Sequence, residues 1–366
     1  KIPESKNTHS EVQNTRRTAM KKVSVIGMDM GDKNHKAVGL SEDGEIIDRT
    51  EVPCTPEDVR AYLERFPGAL LAIETGTHCR WVSRLGTGMG HEVLVGNARK
   101  LRMIWNSNRK NDWNDAEMLA RVARTDRKLF SPVRLRDDGD QELLRLVKAR
   151  DLLVKCRTGI VNKIRGFCKA DGHHLPKCSA DSFMRLEHEI PKSVRTVSKP
   201  LFAMLKELAK KIGLYDTMIA KGVRKIHGED AKLLEPIAGV GPVTAAAFLA
   251  TVGDPATFGS ARDAGSYFGL VPRQDQSGQT DKQMRITKEG NAVVRRLLVT
   301  AANYIMGPFG KDCDLRRHGM RIAERGGKNA RKRAKVAVAR KLAVLMLAIL
   351  RTRSEYRPLA DVGCVA

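Results

Sequence analysis

Between residues 22 and 125 the apolar residues change period again and again, and that alternation restricts this stretch to a layered α/β domain. Val23-Ser24-Val25-Ile26-Gly27-Met28 is a short apolar run of strand type that leads into Asp29. Residues 35–40 and 45–52 form two further strand-like runs, with Gly44 in the turn between them. Thr55-Pro56-Glu57-Asp58 is a helix start, with Thr55 as cap and Pro56 in the first turn. Residues 69–73 make a strand that ends at Glu74, and 92–95 make another. Residues 111–125 take the helical period, with Met118, Leu119 and Val122 on the apolar face. The predicted order is three strands, a helix, a strand, a helix, a strand and a helix.

Four carboxylates fall at matching points of that order. Asp29 ends the first strand and Glu74 the fourth, while Asp112 and Asp115 stand three apart at a helix start, on one face. Strand ends and a helix start can converge on one cleft. Four carboxylates there repel unless cations lie between them. Ligands that offer only oxygen select hard ions, so the expected cofactor is Mg²⁺, with Mn²⁺ as the other choice. Two such ions can clamp the attacking and leaving oxygens of a phosphodiester displacement. Each acid taken alone is an ordinary turn residue, cap or dipole partner. The set in this order carries the prediction.

Beyond residue 130 the chain reads as helical. Residues 137–170 suit one long, coiled-coil-like helix, in which Leu146, Leu153, Ile160 and Phe167 repeat every seven residues beside Val147, Val154 and Val161. Leu143 and Ile164 widen that seam, and Arg145, Arg150 and Arg157 belong to a basic face. That face is either solvated or a nucleic-acid contact. A second helix is expected over 196–226, a glycine-rich helical region over 229–306, and a basic helix over 328–353. In the last, Arg331 and Arg333 crowd the start, where cations oppose the helix dipole and so serve a ligand or partner. The expected divisions are a disordered leader at 1–20, a catalytic α/β domain at 21–130, a helical region at 131–226, a third domain at 227–310 and a basic tail at 311–366.

The formal net charge of +24 over 366 residues favours a polyanionic partner, above all nucleic acid. Ribosomal proteins and binders of anionic membranes share such a charge, so it names a partner class and no activity. Seven scattered cysteines suggest reduced thiols and a cytoplasmic setting. The longest apolar run, 342–350, is too short to span a bilayer, so no membrane is expected. Cys168, His173, His174 and Cys178 follow no standard zinc spacing and read as an ordinary loop. Gly239 and Gly241, in Ala238-Gly239-Val240-Gly241-Pro242, make either a tight helix–helix turn or a helix start at which a DNA phosphate docks. Ser277, in a polar loop before Gly278, reads from spacing alone as a turn serine. Ser260 and Ser266 lie nearby, and Ser260-Ala261-Arg262-Asp263 reads as a helix cap.

Two blocks of residues resemble a known family. Gly27-Met28-Asp29, Ile73-Glu74-Thr75-Gly76 and Asn111-Asp112-Trp113-Asn114-Asp115-Ala116 resemble the DEDD transposases of bacterial insertion sequences. Pro236-Ile237-Ala238-Gly239-Val240-Gly241-Pro242, Tyr267-Phe268-Gly269-Leu270-Val271-Pro272, Gln276-Ser277-Gly278, Ile286-Thr287-Lys288-Glu289-Gly290-Asn291 and Arg295-Arg296-Leu297-Leu298 resemble the carboxy-terminal domain of the same family. The resemblance implies a ribonuclease-H-like, RuvC-like first domain whose metal ligands are Asp29, Glu74, Asp112 and Asp115. It also implies that Ser277 attacks DNA to form a covalent phosphoserine link. A noncoding bridge RNA would pair with target and donor DNA, and dimers would join into a tetramer with active sites shared between subunits. Lys288 and Arg295 fall in its nucleic-acid-binding blocks, and its setting is the bacterial cytoplasm, at the nucleoid. Two other readings fit the residues. A RuvC-like junction nuclease would use water and leave Ser277 inert, and a basic RNA-binding protein would need no acids at all.

Overall fold

The computed structural model describes residues 21–104, 111–277 and 280–359. The expected leader, Gly278 beside the serine and the end of the basic tail lie outside the described residues. The chain forms two compact units, Lys1–Leu135 and Arg136–Ala366.

The first unit is built on a mixed five-stranded sheet of order β3-β2-β1-β4-β5. Its strands are β1 (Val25–Met30), β2 (Asn34–Leu40), β3 (Ile46–Pro53), β4 (Leu70–Glu74) and β5 (Val93–Gly96). β1 pairs antiparallel with β2, and β2 with β3, the latter pair joined through Gly44 at φ +86°. β1–β4 and β4–β5 are parallel, so each needs a crossover, supplied by α1 (Pro56–Glu64) and α2 (Cys79–Gly88). Thr55 caps α1 as its sequence predicts, accepting from the Asp58 N–H at 3.2 Å. A further helix, α3 (Ala98–Ile104), precedes α4 (Asp112–Thr125).

Strand alternation gives the sheet two buried faces. Ile26 and Met28 of β1, with Leu71 and Ile73 of β4, pack on α1 and α2 through Val59, Leu63 and Val82. Val25, Leu70 and Ala72 face the other way, onto Ala116, Leu119 and Ala120 of α4. Gly27 lies on this second face. A Cβ there would fall 2.0 Å from the Ala116 carbonyl oxygen and 2.5 Å from the Ala120 nitrogen. Only glycine permits α4 to come this close to β1.

The second unit is mostly helical. Its first helix, α5 (Asp138–Ala170), is about 50 Å long at 1.5 Å per residue. It packs along α6 (Lys192–Leu234), which kinks at His227, where φ is −129° and ψ is 39°. Of the expected seam, the sevenfold line itself is half-buried, while Val147 and Val161 beside it and Leu143 and Ile164 that widen it are buried. Cys168 is buried as well. The helix has a different neighbour at each end, and a straight helix drifts away from a period of 3.5. Its carboxy end joins a small core in which Phe183 stacks on Phe202 at 5.6 Å. The main core surrounds α7 (Pro242–Val252), buried at every residue from Thr244 on, with Phe248 against Phe268. A short helix, α8 (Asp263–Tyr267), leads to a hairpin of β6 (Pro272–Ser277) and β7 (Thr280–Ile286). Three helices follow, α9 (Ala292–Ile305), α10 (Asp314–Glu324) and α11 (Ala330–Thr352). Among the described residues, no helix is long and apolar enough to cross a membrane.

The hairpin corrects the expectation of a helical region with a serine loop. Ser277 is the last residue of β6, in register with Thr280 of β7. Residues 273–277 and 280–283 are all polar in sequence, so no apolar run announces these strands before Met284 and Ile286.

Candidate functional site

Asp29 shares the face of β1 that carries Val25 and Gly27, the face that meets α4. The Asn111 side chain caps α4 by accepting from the Trp113 N–H at 3.1 Å. This fixes the first turn, and Asp112 and Asp115 project from it together. Carboxylate oxygens of Asp29, Asp112 and Asp115 all lie within 4.8 Å of one another. Asp29 and Asp115 are half-buried and Asp112 is exposed. At that spacing each like-charged pair costs about 1 to 4 kcal/mol between the bulk-water and near-surface limits. The amino end of α4 offsets part of this through its dipole. Three acidic oxygens and no softer donor fit a hard divalent cation, which would turn the repulsion into attraction.

Glu74 sits beside this group. The β1–β4 register pairs Met28 with Ile73, which puts Glu74 next to Asp29, on the face of Leu70 and Ala72. Its carboxylate is half-buried and is not one of the three gathered within 4.8 Å. The chain beyond it is held firmly, by Thr75 N–H to Gly96 O at 2.9 Å and Ala98 N–H to Thr75 Oγ1 at 3.2 Å.

Two features escaped the sequence reading. Lys36 is the cross-strand partner of Asp29, with its ammonium 2.5 Å from Glu51 and 5.0 Å from the centre of the Trp113 ring. Strand alternation alone, counted across the turn from Asp29, would have found this cation. On the opposite face His35 is wholly buried, 5.7 Å from the His78 ring and 5.9 Å from that of Trp81. Trp81 Nε1–H donates to His78 Nδ1 at 3.1 Å, and His78 Nε2 lies 3.2 Å from Asp32. Burial, and then the nearby His78, hold the His35 pKa below its usual value, so the ring stays neutral.

The rival serines have local work. Ser260 Oγ accepts from the Arg262 N–H at 3.2 Å while the Ser260 N–H donates to Asp263 at 2.8 Å, bonds that close the turn ahead of the helix that starts at Asp263, whose cap position is Arg262. Ser266 Oγ donates to the Asp263 carbonyl at 2.9 Å. Among the described residues Cys168, His173, His174 and Cys178 form no metal-binding group, and Cys178 accepts from Arg165 at 3.1 Å.

The basic residues take diverse positions. Arg150 is bonded to Asp216 and Arg157 to Asp181, ties that brace α5. Arg295 donates to the carbonyls of Phe268 and Glu289. Gly239, at φ +81°, would place a Cβ 2.9 Å from the Ala301 carbonyl, so it serves close packing on α9, whereas Gly241 has open space in front of it. Arg145, Arg331 and Arg333 are exposed, and Lys288 occupies the left-handed region at φ 58°.

Known proteins share this arrangement of sequence. Residues 26–170 match a family model described as Transposase, of the DEDD type of IS110 elements, and residues 231–312 match the Transposase IS116/IS110/IS902 family. The transposase for insertion sequence element IS1111A of Coxiella burnetii is 30% identical over 354 residues, covering 93% of each chain. A probable family 20 transposase of Pseudomonas aeruginosa is 25% identical over 92% of this chain and 99% of its own. A pilin gene-inverting protein of Moraxella bovis is 26% identical over 78% of this chain and 81% of its own. An α/β unit with an acidic trio, continued by a basic helical unit, thus defines an enzyme of DNA recombination, a transposase. The chain belongs to the IS110/IS116 family of insertion-sequence transposases.

Proposed function

We propose that this transposase cuts and exchanges DNA strands through a serine nucleophile served by a divalent-metal site in a ribonuclease-H-like, RuvC-like domain. The observation that carries the reading is the convergence of Asp29, Asp112 and Asp115 within 4.8 Å, with Glu74 on the adjoining strand. Those acids would hold Mg²⁺, or Mn²⁺ in its place. A bound ion of this kind neutralises charge on the phosphodiester and makes a hydroxyl a better nucleophile. The acids themselves contain no such hydroxyl. Ser277 is the residue proposed for it, at the end of β6 where the hairpin turns. Its Oγ bonds to the scissile phosphorus, the bond to the leaving deoxyribose oxygen breaks, and the serine proton passes to solvent as that oxygen gains one. The product is a phosphoserine ester and a free DNA end.

DNA, both target and donor, is the substrate, and the charge of +24 suits so long a polyanion. A noncoding bridge RNA is proposed as the guide, with Arg145 and Arg331 among its contacts. Dimers that pair into a tetramer would let Ser277 of one subunit meet the acids of another. The chain would act in the cytoplasm, at the nucleoid.

Denaturing electrophoresis with labelled insertion-sequence DNA tests the chemistry. The wild type should give a protein-linked DNA band that requires Mg²⁺, and Ser277→Ala should give none. An adduct that persists in Ser277→Ala moves the nucleophile elsewhere. Metal-dependent cutting without any adduct would favour the junction nuclease, in which water attacks.

A further inference from the structure

The second unit contains a cavity of about 880 Å³ that the acidic site does not use. It opens between the base of the β6–β7 hairpin, α10 and the first half of α11. Its floor is apolar, formed by Leu270, Ile286, Ile322, Val336 and Val344. Among its described lining residues, eight are Lys or Arg and none is Asp or Glu. Among the described residues, none of those eight forms an ion pair. Arg285, Lys288, Arg325, Lys332, Arg333 and Lys341 thus bring like charges together around one opening. Lys332 and Arg333 add to the cost, because they sit in the first turn of α11 and face the positive end of its dipole.

The backbone at the rim is also under strain. Lys288 is one of three described non-glycine residues with positive φ. Its N–H is tied to the Gly269 carbonyl at 3.1 Å, and a Cβ on Gly269 would fall 2.2 Å from the Glu289 nitrogen. This contact holds Lys288 in place in a conformation that costs about 1 kcal/mol or more. Inside the cavity His318 is the remaining titratable group. Burial, then Lys341, Arg321 and Arg325, depress its pKa, which leaves a neutral ring that can both donate and accept.

An apolar floor under a ring of cations, with no acid among the described lining residues, calls for a ligand with a flat uncharged part and anionic flanks. We propose that this cavity receives one unpaired nucleotide of a DNA strand, its base on the apolar floor and its flanking phosphates on the cationic rim. Among the described lining residues there is no Asp, Glu, Asn or Gln, so His318 is the side chain among them able to accept a hydrogen bond from a ribose 2′-hydroxyl, and the base competes for it. DNA fits that surface without loss. His318 would meet the edge of the base. The proposal rests on the reading of the chain as a DNA-recombining enzyme, and it is independent of the metal and the serine.

The test is equilibrium binding in EDTA, where no strand is cut, so it stays readable whether or not the serine chemistry holds. The probe is a short DNA duplex carrying a single bulged 2-aminopurine, which fixes the register. The comparators are the same duplex with an abasic bulge, the fully paired duplex, and an RNA duplex with the same bulge. The wild type should bind the 2-aminopurine bulge about tenfold more tightly than the abasic bulge, as burial of apolar ring surface predicts. The fluorescence should rise, because the base leaves its stacked neighbours for a floor without aromatic side chains. Ala337→Phe, which fills the floor, should erase the preference for the base while keeping most of the affinity. Lys332→Ala with Arg333→Ala should weaken every probe and lower the slope of log K against log salt by about 1.4 to 1.8. Equal binding of base and abasic bulges by the wild type would overturn the proposal, and that comparison needs no variant to fold. Tighter binding of the paired duplex, or of the RNA bulge, would overturn it too.

Discussion

The two units treat charge in opposite ways. In the first, a +24 protein gathers three carboxylates within 4.8 Å at the end of the central strand of an apolar sheet. In the second, eight cations line one cavity with no acid among its described lining residues. Both arrangements store repulsion that folding alone does not reward, and in each the backbone fixes the groups that repel. Gly27 and the Asn111 cap place the acids, while Gly269 and the start of α11 place the cations. The contrast teaches where to look for ligands. Like charges held together by rigid elements mark the place where an opposite charge is missing.

That comparison breaks most easily at the acids. Asp115→Asn should lower DNA cleavage about a thousandfold or more, since it removes a proposed metal ligand and leaves the fold intact. Single-turnover cleavage read beside circular dichroism checks it, and near-normal cleavage would strip the trio of its role. Gly27→Val is the structural counterpart. Its side chain must displace α4, at a cost of about 3 kcal/mol or more, seen as a lower denaturant midpoint for the first unit. Val25→Ile on the same strand should change that midpoint far less.

A third test probes the second unit alone. His227, at the kink of α6, lies 2.5 Å from the buried Asp140, and that bond holds its pKa above the usual histidine value. A raised folded pKa means stability that is fully present below the unfolded value of about 6.5 and lost as pH climbs through the folded value. Asp140→Asn should therefore cost about 3 kcal/mol near pH 6 and less near pH 9. Urea unfolding across that range gives the answer, and a cost that grows with pH would contradict the pairing. The smallest effect belongs to the first unit. Thr55→Ala removes the α1 cap and should cost about 1 kcal/mol, with cleavage unchanged.

Legibility in the sequence followed apolar contrast. The strands around Asp29 and Glu74 stand out because their runs are apolar and end in acids or glycine. The cap at Thr55 is equally plain, since a cap is a local interaction. The β6–β7 hairpin stayed hidden because residues 273–277 and 280–283 are all polar in sequence, which leaves no apolar run to mark a strand. Along α5 the seam read from the sequence included Val147 and Ile164, which are buried, but its sevenfold line at Leu153 and Ile160 is only half-buried, because the helix meets different neighbours at its two ends. Lys36 went unnoticed because its meaning depends on being the cross-strand partner of Asp29. The cavity was invisible for a related reason. Its described cations come from five stretches between Arg262 and Lys341, and only folding brings them to one opening.

The contact at Gly27 is one of main chain against main chain, because its absent side chain leaves α4 resting on the strand itself. Side chains elsewhere in the same layer set volume, and they can be traded for others of similar size. The separation of Asp29 from Asp112 and Asp115 is therefore insulated from drift in the surrounding core. Tolerance to change in this sheet divides sharply as a result. Neighbours such as Val25 and Leu119 can vary freely among apolar residues, while position 27 admits a hydrogen and nothing larger.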